Sequence, residues 1–259
     1  MKRTLMTSAA TLLAIGAQAH AADLPAPRLP SAAPAIYNWT GVYVGVNGGW
    51  ADGISNWTND CPGCQSLTTP TSGASPPGLP GGESGKFSVS GYIAGGTLGA
   101  NYQIGPWVYG VEGDFDWTHL TGNSGPTCGS LSIAQPSAGC ETESDWLATL
   151  RGRVGYAFPG LAGDSVLLYG TAGGAFARIR TGLIPPATFD SSTVAGWSVG
   201  AGLEVAFAPN WTAKVEYLFV DLPNVTCTTT TNCGFLAGST VTLNENMVRA
   251  GVNFKFGPW

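Results

Sequence analysis

The chain closes on NMVRAGVNFKF, where Val248, Ala250, Val252, Phe254 and Phe256 take every second position and Arg249, Asn253 and Lys255 stand between them. A period of two marks a strand with two unlike faces. From Trp39 onward eight such stretches follow one another, over residues 39–50, 87–104, 107–118, 145–158, 165–180, 193–208, 211–221 and 245–256. Several exceed the roughly 5–6 residues usual for a strand in a soluble sheet and reach the roughly 9–11 that cross a bilayer on a tilt.

The connections alternate in length as regularly as the residues alternate in polarity. Gly105-Pro106, PGLAGD (159–164) and Pro209-Asn210 are short, whereas 52–86, 119–144, 181–192 and 222–244 are long. Short turns on one rim and long loops on the other are the plan of an outer-membrane barrel, with the short turns in the periplasm. An even strand count puts both ends of the barrel on that short-turn rim.

Charge tests the two faces. With each strand's parity set by its apolar and aromatic residues, Glu112, Asp114, Asp116, Arg151, Arg153, Arg178, Arg180, Glu204, Lys214, Glu216, Arg249 and Lys255 all fall on the opposite parity. A charge facing lipid costs about 2–4 kcal/mol at the midplane, so a barrel in a bilayer would turn this set into its lumen. A soluble β-sandwich could show the same alternation with its apolar face inward. Against it, aromatic residues bound the apolar faces, with Trp107 and Trp117 in the third stretch and Trp211 opening the seventh, as interfacial girdles require. The opposite face also carries Gly110, Gly196, Gly200, Gly202 and Gly251, too little bulk for a two-sheet core. The expectation is an all-β, eight-stranded antiparallel up-and-down transmembrane β-barrel, its narrow lumen filled by paired charges rather than open as a wide channel.

Composition sharpens this picture. Over 259 residues the chain holds 38 Gly and 9 Trp but only 10% charged residues, against about 25% in ordinary soluble domains. A net charge of -5 argues against a nucleic-acid partner. The N-terminus supplies an address: Lys2 and Arg3, an apolar run over 5–17 and small-x-small sites at 17–19 and 19–21 read as a secretory signal, residues 1–21, cleaved after Ala21. The proline-rich stretch 22–37 reads as an extended periplasmic segment, and 38–259 as the barrel.

On the signal peptide, YNWTGVYVGVNGGW at the first strand, GWSVGAGLEVAFAPNWTAKVEYLFVDL in the sixth and seventh and the closing VRAGVNFKF, the chain resembles the small outer-membrane β-barrel proteins, also called outer membrane immunogenic or opacity-like proteins. Their barrel is similar to the transmembrane domain of OmpA-like proteins, and the resemblance covers nearly all of the mature chain. It implies a monomeric eight-stranded barrel in a Gram-negative outer membrane, surrounded by lipid and lipopolysaccharide. It further implies an abundant surface antigen with no appended peptidoglycan-binding domain. By the same resemblance the barrel-insertion machinery would read a terminal aromatic, here Phe256, whose parity matches Phe254 and Val252, although Gly257-Pro258-Trp259 follows it. In some relatives an Ala-Asp start, here Ala22-Asp23, is attached covalently to peptidoglycan.

The remaining motifs are few. Cys61, Cys64, Cys128, Cys140, Cys227 and Cys233 fall two to a long loop and none in a stretch of alternation, so loop disulfides are expected. Cys128 with Cys140 and Cys227 with Cys233 could close locally, although about 15 pairings are possible for six cysteines. CPGC at 61–64 could also be a redox or metal site, but it lacks a βαβ context and a second CxxC. His119, with Asp116 nearby, is too little for catalysis without a positioned nucleophile. Neither a cofactor nor a metal is expected, nor an enzyme. Asn-x-Thr triplets at Asn38, Asn56, Asn210 and Asn224 read as chance in a bacterial chain. The function expected is a structural, surface-exposed envelope barrel, with a narrow porin or a loop-borne adhesin as alternatives.

Overall fold

The computed structural model describes residues 37–58, 85–124, 139–160, 164–184, 188–226 and 240–257, within a compact unit spanning Ile36–Trp259. Its strands are β1 (Gly41–Thr58), β2 (Gly85–Ile104), β3 (Trp107–Asn123), β4 (Gly139–Pro159), β5 (Ser165–Ile184), β6 (Thr188–Ala208), β7 (Trp211–Thr226) and β8 (Thr240–Phe256). Each pairs antiparallel with the next, and β1 pairs with β8 from Val42↔Phe256 to Thr58↔Thr240, closing the barrel. Along the apolar belt closure leaves no open strand edge, so the ladder is satisfied there without water, which a bilayer demands, whereas above it 188–196 of β6 pair with β5 but not with β7.

On the short-turn rim the strands begin and end within two residues of where the alternation places them, β1 starting at Gly41 rather than Trp39. On the opposite rim every strand runs further, and much of what reads as long loop is ladder. These extensions are rich in Asp, Asn, Ser, Thr and Gly, residues that mark turns by their side chains, whereas ladder hydrogen bonds join backbone to backbone and are indifferent to them. Cys140 illustrates the correction: it is a fully buried residue of β4, not a loop residue, and it is disulfide-bonded. The other five cysteines lie outside the described residues.

The outward face carries an apolar belt bounded by aromatic rings. Tyr102, Trp107, Tyr156, Trp211 and Phe256 border it on the short-turn side, and Trp50, Tyr92, Trp117, Trp197 and Tyr217 on the other. On that second border the polar tips turn away from the belt: Trp50 Nε1 donates to Asp52 (3.2 Å), Trp197 Nε1 to Asp221 (3.0 Å) and the Tyr217 hydroxyl to Asn246 (2.6 Å). A ring with one apolar side and one hydrogen-bonded tip suits a lipid–water boundary. Beyond it the outward positions become Asp52, Ser90, Thr193, Asn244 and Asn246, while Val89, Leu120, Ile179, Val220 and Leu243 turn inward and are buried. The barrel therefore exchanges its faces along its own axis, apolar outside within the belt and apolar inside above it.

That exchange overturns one expectation. Arg178 and Arg180, placed in the lumen by parity, point outward beyond the belt. Arg180 pairs with Glu143 (2.9 Å) and Asp145 (3.5 Å), and Arg178 stands 3.8 Å from Asp145 with 49% of its side chain exposed. Pairs so exposed contribute little to stability. The inward positions of β5 at this height belong to Ala175, Ala177 and Ile179 of the apolar interior. Charge still opposes grease on β5, but at this height the greasy side is the inside.

Candidate functional site

Inward side chains pack at three heights of the barrel. The middle one is charged: Glu112, Asp114 and Asp116 come from β3, Arg151 and Arg153 from β4, Glu204 from β6, Lys214 and Glu216 from β7, and Arg249 from β8, all buried. Register brings opposite charges face to face, with Glu112 opposite Arg151, Glu204 opposite Lys214 and Glu216 opposite Arg249. Arg151 reaches Glu112 (2.8 Å), Asp114 (2.5 Å) and Glu216 (2.9 Å). Arg249 reaches Asp114 (3.1 Å), Asp116 (2.8 Å) and Glu216 (2.6 Å). Arg153 joins Glu204 (2.7 Å) and Glu112 (3.3 Å), and Lys214 joins Glu112 (2.9 Å). A guanidinium offers several donors in a rigid fork, so each arginine can bridge carboxylates from different strands, which the single ammonium of lysine does less well.

Polar residues not singled out in the sequence complete the network. The Tyr43 hydroxyl donates to Glu112 (2.8 Å) and accepts from Arg153 (2.9 Å). The Tyr169 ring lies 4.0 Å from the Arg153 guanidinium, and Thr212 donates to Glu204 (2.5 Å). Both tyrosines lie across inward glycines. A Cβ on Gly99 would come within 2.3 Å of the Tyr43 ring, and one on Gly202 within 2.5 Å of the Tyr169 ring. The inward glycines thus make room for large side chains from neighbouring strands, so the lumen is not short of bulk. Tyr43 was legible in principle, because it alternates with Val42, Val44 and Val46 and shares the parity of Gly45 and Asn47. Tyr43→Phe leaves a carboxylate and a guanidinium each short of one buried hydrogen bond. It should lower stability by about 1–3 kcal/mol in urea unfolding with the folded secondary structure unchanged.

The residues that lead into β1 pack inside the short-turn mouth. Trp39, 2% exposed, packs with Val108, Ala157, Leu167, Tyr169 and Ala206. Its amide donates to the Gln103 side chain (2.8 Å) and its Nε1 to Ser165 (3.2 Å). Tyr37 meets it edge-on at 4.9 Å, and the Lys255 ammonium sits 4.2 Å from the Tyr37 ring centre while donating to the Asn38 carbonyl. Burial, with the Glu204 carboxylate adding to it, pushes the Tyr37 hydroxyl up to about 12, so the ring stays neutral. Lys255 therefore faces inward but serves this mouth, not the charged network. The third height, above the network, is the apolar interior of Leu147, Leu218, Val220, Leu222, Met247 and their neighbours.

The other candidate residues are placed as follows. Phe256 ends β8 on the outward face, edge-on to Phe254 at 5.3 Å. His119 points outward and stacks on Tyr92 at 5.3 Å, whereas Asp116 points inward to Arg249, so the two are not brought together. Asn38 caps its own turn by accepting from the Thr40 amide (3.0 Å), and the Asn210 side chain donates to the Lys255 carbonyl (2.7 Å) from the β6–β7 turn. Ala22 lies outside the described residues.

Residues 7–256 match the family described as outer membrane protein beta-barrel domain. The chain is 31% identical to a 31 kDa outer-membrane immunogenic protein of Brucella melitensis over 99% of this chain and 100% of that one. It is 33% identical to a 22 kDa outer membrane protein of Rhizobium leguminosarum over 61% of this chain and 63% of that one. The crystal structure of Neisserial surface protein A shares 16% identity and a TM-score of 0.37, over 84% of this chain and 98% of that one.

Proposed function

Because this chain belongs to the outer membrane protein beta-barrel domain family, we propose that it is a closed structural barrel of the outer membrane that presents its long connections at the cell surface and does not conduct solutes. What supports this reading above all is the filled lumen: Arg151 and Arg249, each 1% exposed, sit among carboxylates from β3 and β7 in its middle. A hydrated ion could pass only by separating these pairs, and a buried charge stripped of its partner is costly. The short-turn rim, with Trp39 in its mouth, faces the periplasm along with both chain ends, by the usual plan of such barrels. Residues 1–21 serve as the export signal and 22–37 as a periplasmic segment whose Ala22 can be tied to peptidoglycan. Phe256 is the residue read at insertion. A barrel closed around its apolar belt works as a monomer, and its role is not enzymatic.

Conductance in a planar bilayer tests the reading, using refolded protein whose folding is shown by its heat-dependent gel mobility. Silence is the expected outcome. Steady channels that change when Arg151 and Arg153 are replaced would make the protein a narrow pore.

A further inference from the structure

Apart from the half-buried Asp190, at an inward position of β6 opposite Thr181, Glu245 is the one charged-type side chain of the upper, largely apolar part of the lumen among the described residues. It is fully buried, and neither carboxylate oxygen has a hydrogen-bond partner. In register it lies between Gly53 of β1 and Val220 of β7. The outward neighbours Asn244 and Asn246 are polar and exposed, and the apolar belt of β8 begins only at Val248. Glu245 therefore lies above the membrane-spanning part of the strand, in a segment whose outward positions are polar and exposed and whose inward positions are buried and mostly apolar.

Its surroundings supply no counter-charge. The inward positions of the remaining strands in this part include the apolar Val89, Leu120, Leu147, Ile179 and Val194; the buried hydroxyls among them carry no charge, with Ser55 bonded to Thr142 (2.9 Å) and Thr118 donating to Ser144 (3.0 Å). The neighbouring charged groups are Asp52 and Asp221, which point through the outer side of the wall, and Arg249 with Asp116 in the tier beneath. Arg249 is already committed to three carboxylates. A carboxylate charge left unpaired in an apolar interior is far costlier than the neutral acid.

We propose that Glu245 makes the outer part of the lumen a proton-linked seal: protonated, it lets this interior stay dry and the outer strand ends stay paired; ionised, it draws water in and loosens them. The device controls how firmly the outer ends of β1 and β8 are held to each other and to β7, and it operates whether or not the lumen conducts. Burial raises the carboxyl to about 7 when the seal is closed, whereas an opened, hydrated seal returns it to about 4.3. The closed form binds more protons between those values, so closure is favoured fully below the lower one. That advantage falls as pH rises toward the upper one and is constant above it.

Hydrogen exchange of the folded protein in lipid bilayers, read as protection factors at pH 5 and pH 8, tests the seal. Segments 51–57 and 240–247 should lose protection on the order of 50- to 100-fold at the higher pH, while 248–256 keeps its protection. Glu245→Gln, which cannot ionise, should abolish the difference. Glu245→Leu serves as a second neutral variant, expected to be flat with pH and better protected. Equal pH dependence in wild type and Glu245→Gln would overturn the proposal, as would a wild type flat across this range. Exchange throughout 248–256 at either pH would instead contradict the membrane-barrel reading.

Discussion

Arg249→Met should destabilise the folded barrel by about 3–5 kcal/mol, the cost of removing one partner from a buried ionic cluster. The size follows from what is left behind. Asp114, Asp116 and Glu216 all lean on this guanidinium, and methionine fills part of its volume while offering no donor. The ion pairs themselves need not be net stabilising relative to an apolar lumen, since desolvation offsets much of their attraction. The loss therefore measures the abandoned carboxylates, and Arg249→Met combined with Glu216→Gln should lose less than the sum of the two single changes. Arg249→Lys should also lose stability, because one ammonium cannot reach all three acids as the forked guanidinium does. Urea unfolding in lipid vesicles, followed by tryptophan fluorescence, provides the comparison. A loss within about 0.5 kcal/mol for Arg249→Met, the range of an ordinary surface change, would show that water reaches these carboxylates and that the lumen is not closed.

Val252→Arg should cost about 2–4 kcal/mol, while Asn244→Arg on the same face of the same strand should stay within about 0.5 kcal/mol. Both side chains point outward from β8. Val252 lies midway along the apolar part, between Val248 and Phe256, where a charge must displace lipid or snorkel a long way. Asn244 lies beyond the ring of Trp50, Trp197 and Tyr217, on the polar side to which their tips are hydrogen-bonded. The pair of substitutions locates the membrane boundary by energy. Equal costs at the two positions would place Asn244 in lipid and remove the soluble-like upper part of the barrel.

That boundary also separates what the sequence made legible from what it hid. Val42, Val44 and Val46 on one side, with Tyr43, Gly45 and Asn47 on the other, record which way β1 faces, because a wall between lipid and a packed lumen forces adjacent residues into opposite environments. The same logic exposed Arg151, Arg153, Glu216 and Arg249 as a group sharing one side. It misled at Arg178 and Arg180, since alternation is unchanged when the inside becomes apolar and the outside wet, and period two carries no information about depth. The upper strand segments were hidden for a related reason: Asp52, Asn56, Thr142 and Asn244 read as loop residues, yet a ladder is built by the backbone.

By itself, then, the amino-acid sequence determined the strand class, the strand order, the short-turn rim and the separation of grease from charge, all properties of neighbours along the chain or of connection length. Only the tertiary structure decided that Arg151 on β4 meets Glu216 on β7, that Tyr37 and Trp39 pack together at one mouth and that Glu245 has no hydrogen-bond partner. Those facts depend on closing the ring and on the register of β1 with β8, which bring together residues as much as 217 positions apart. Closure is a long-range condition that every strand satisfies jointly, so no single stretch of sequence carries it.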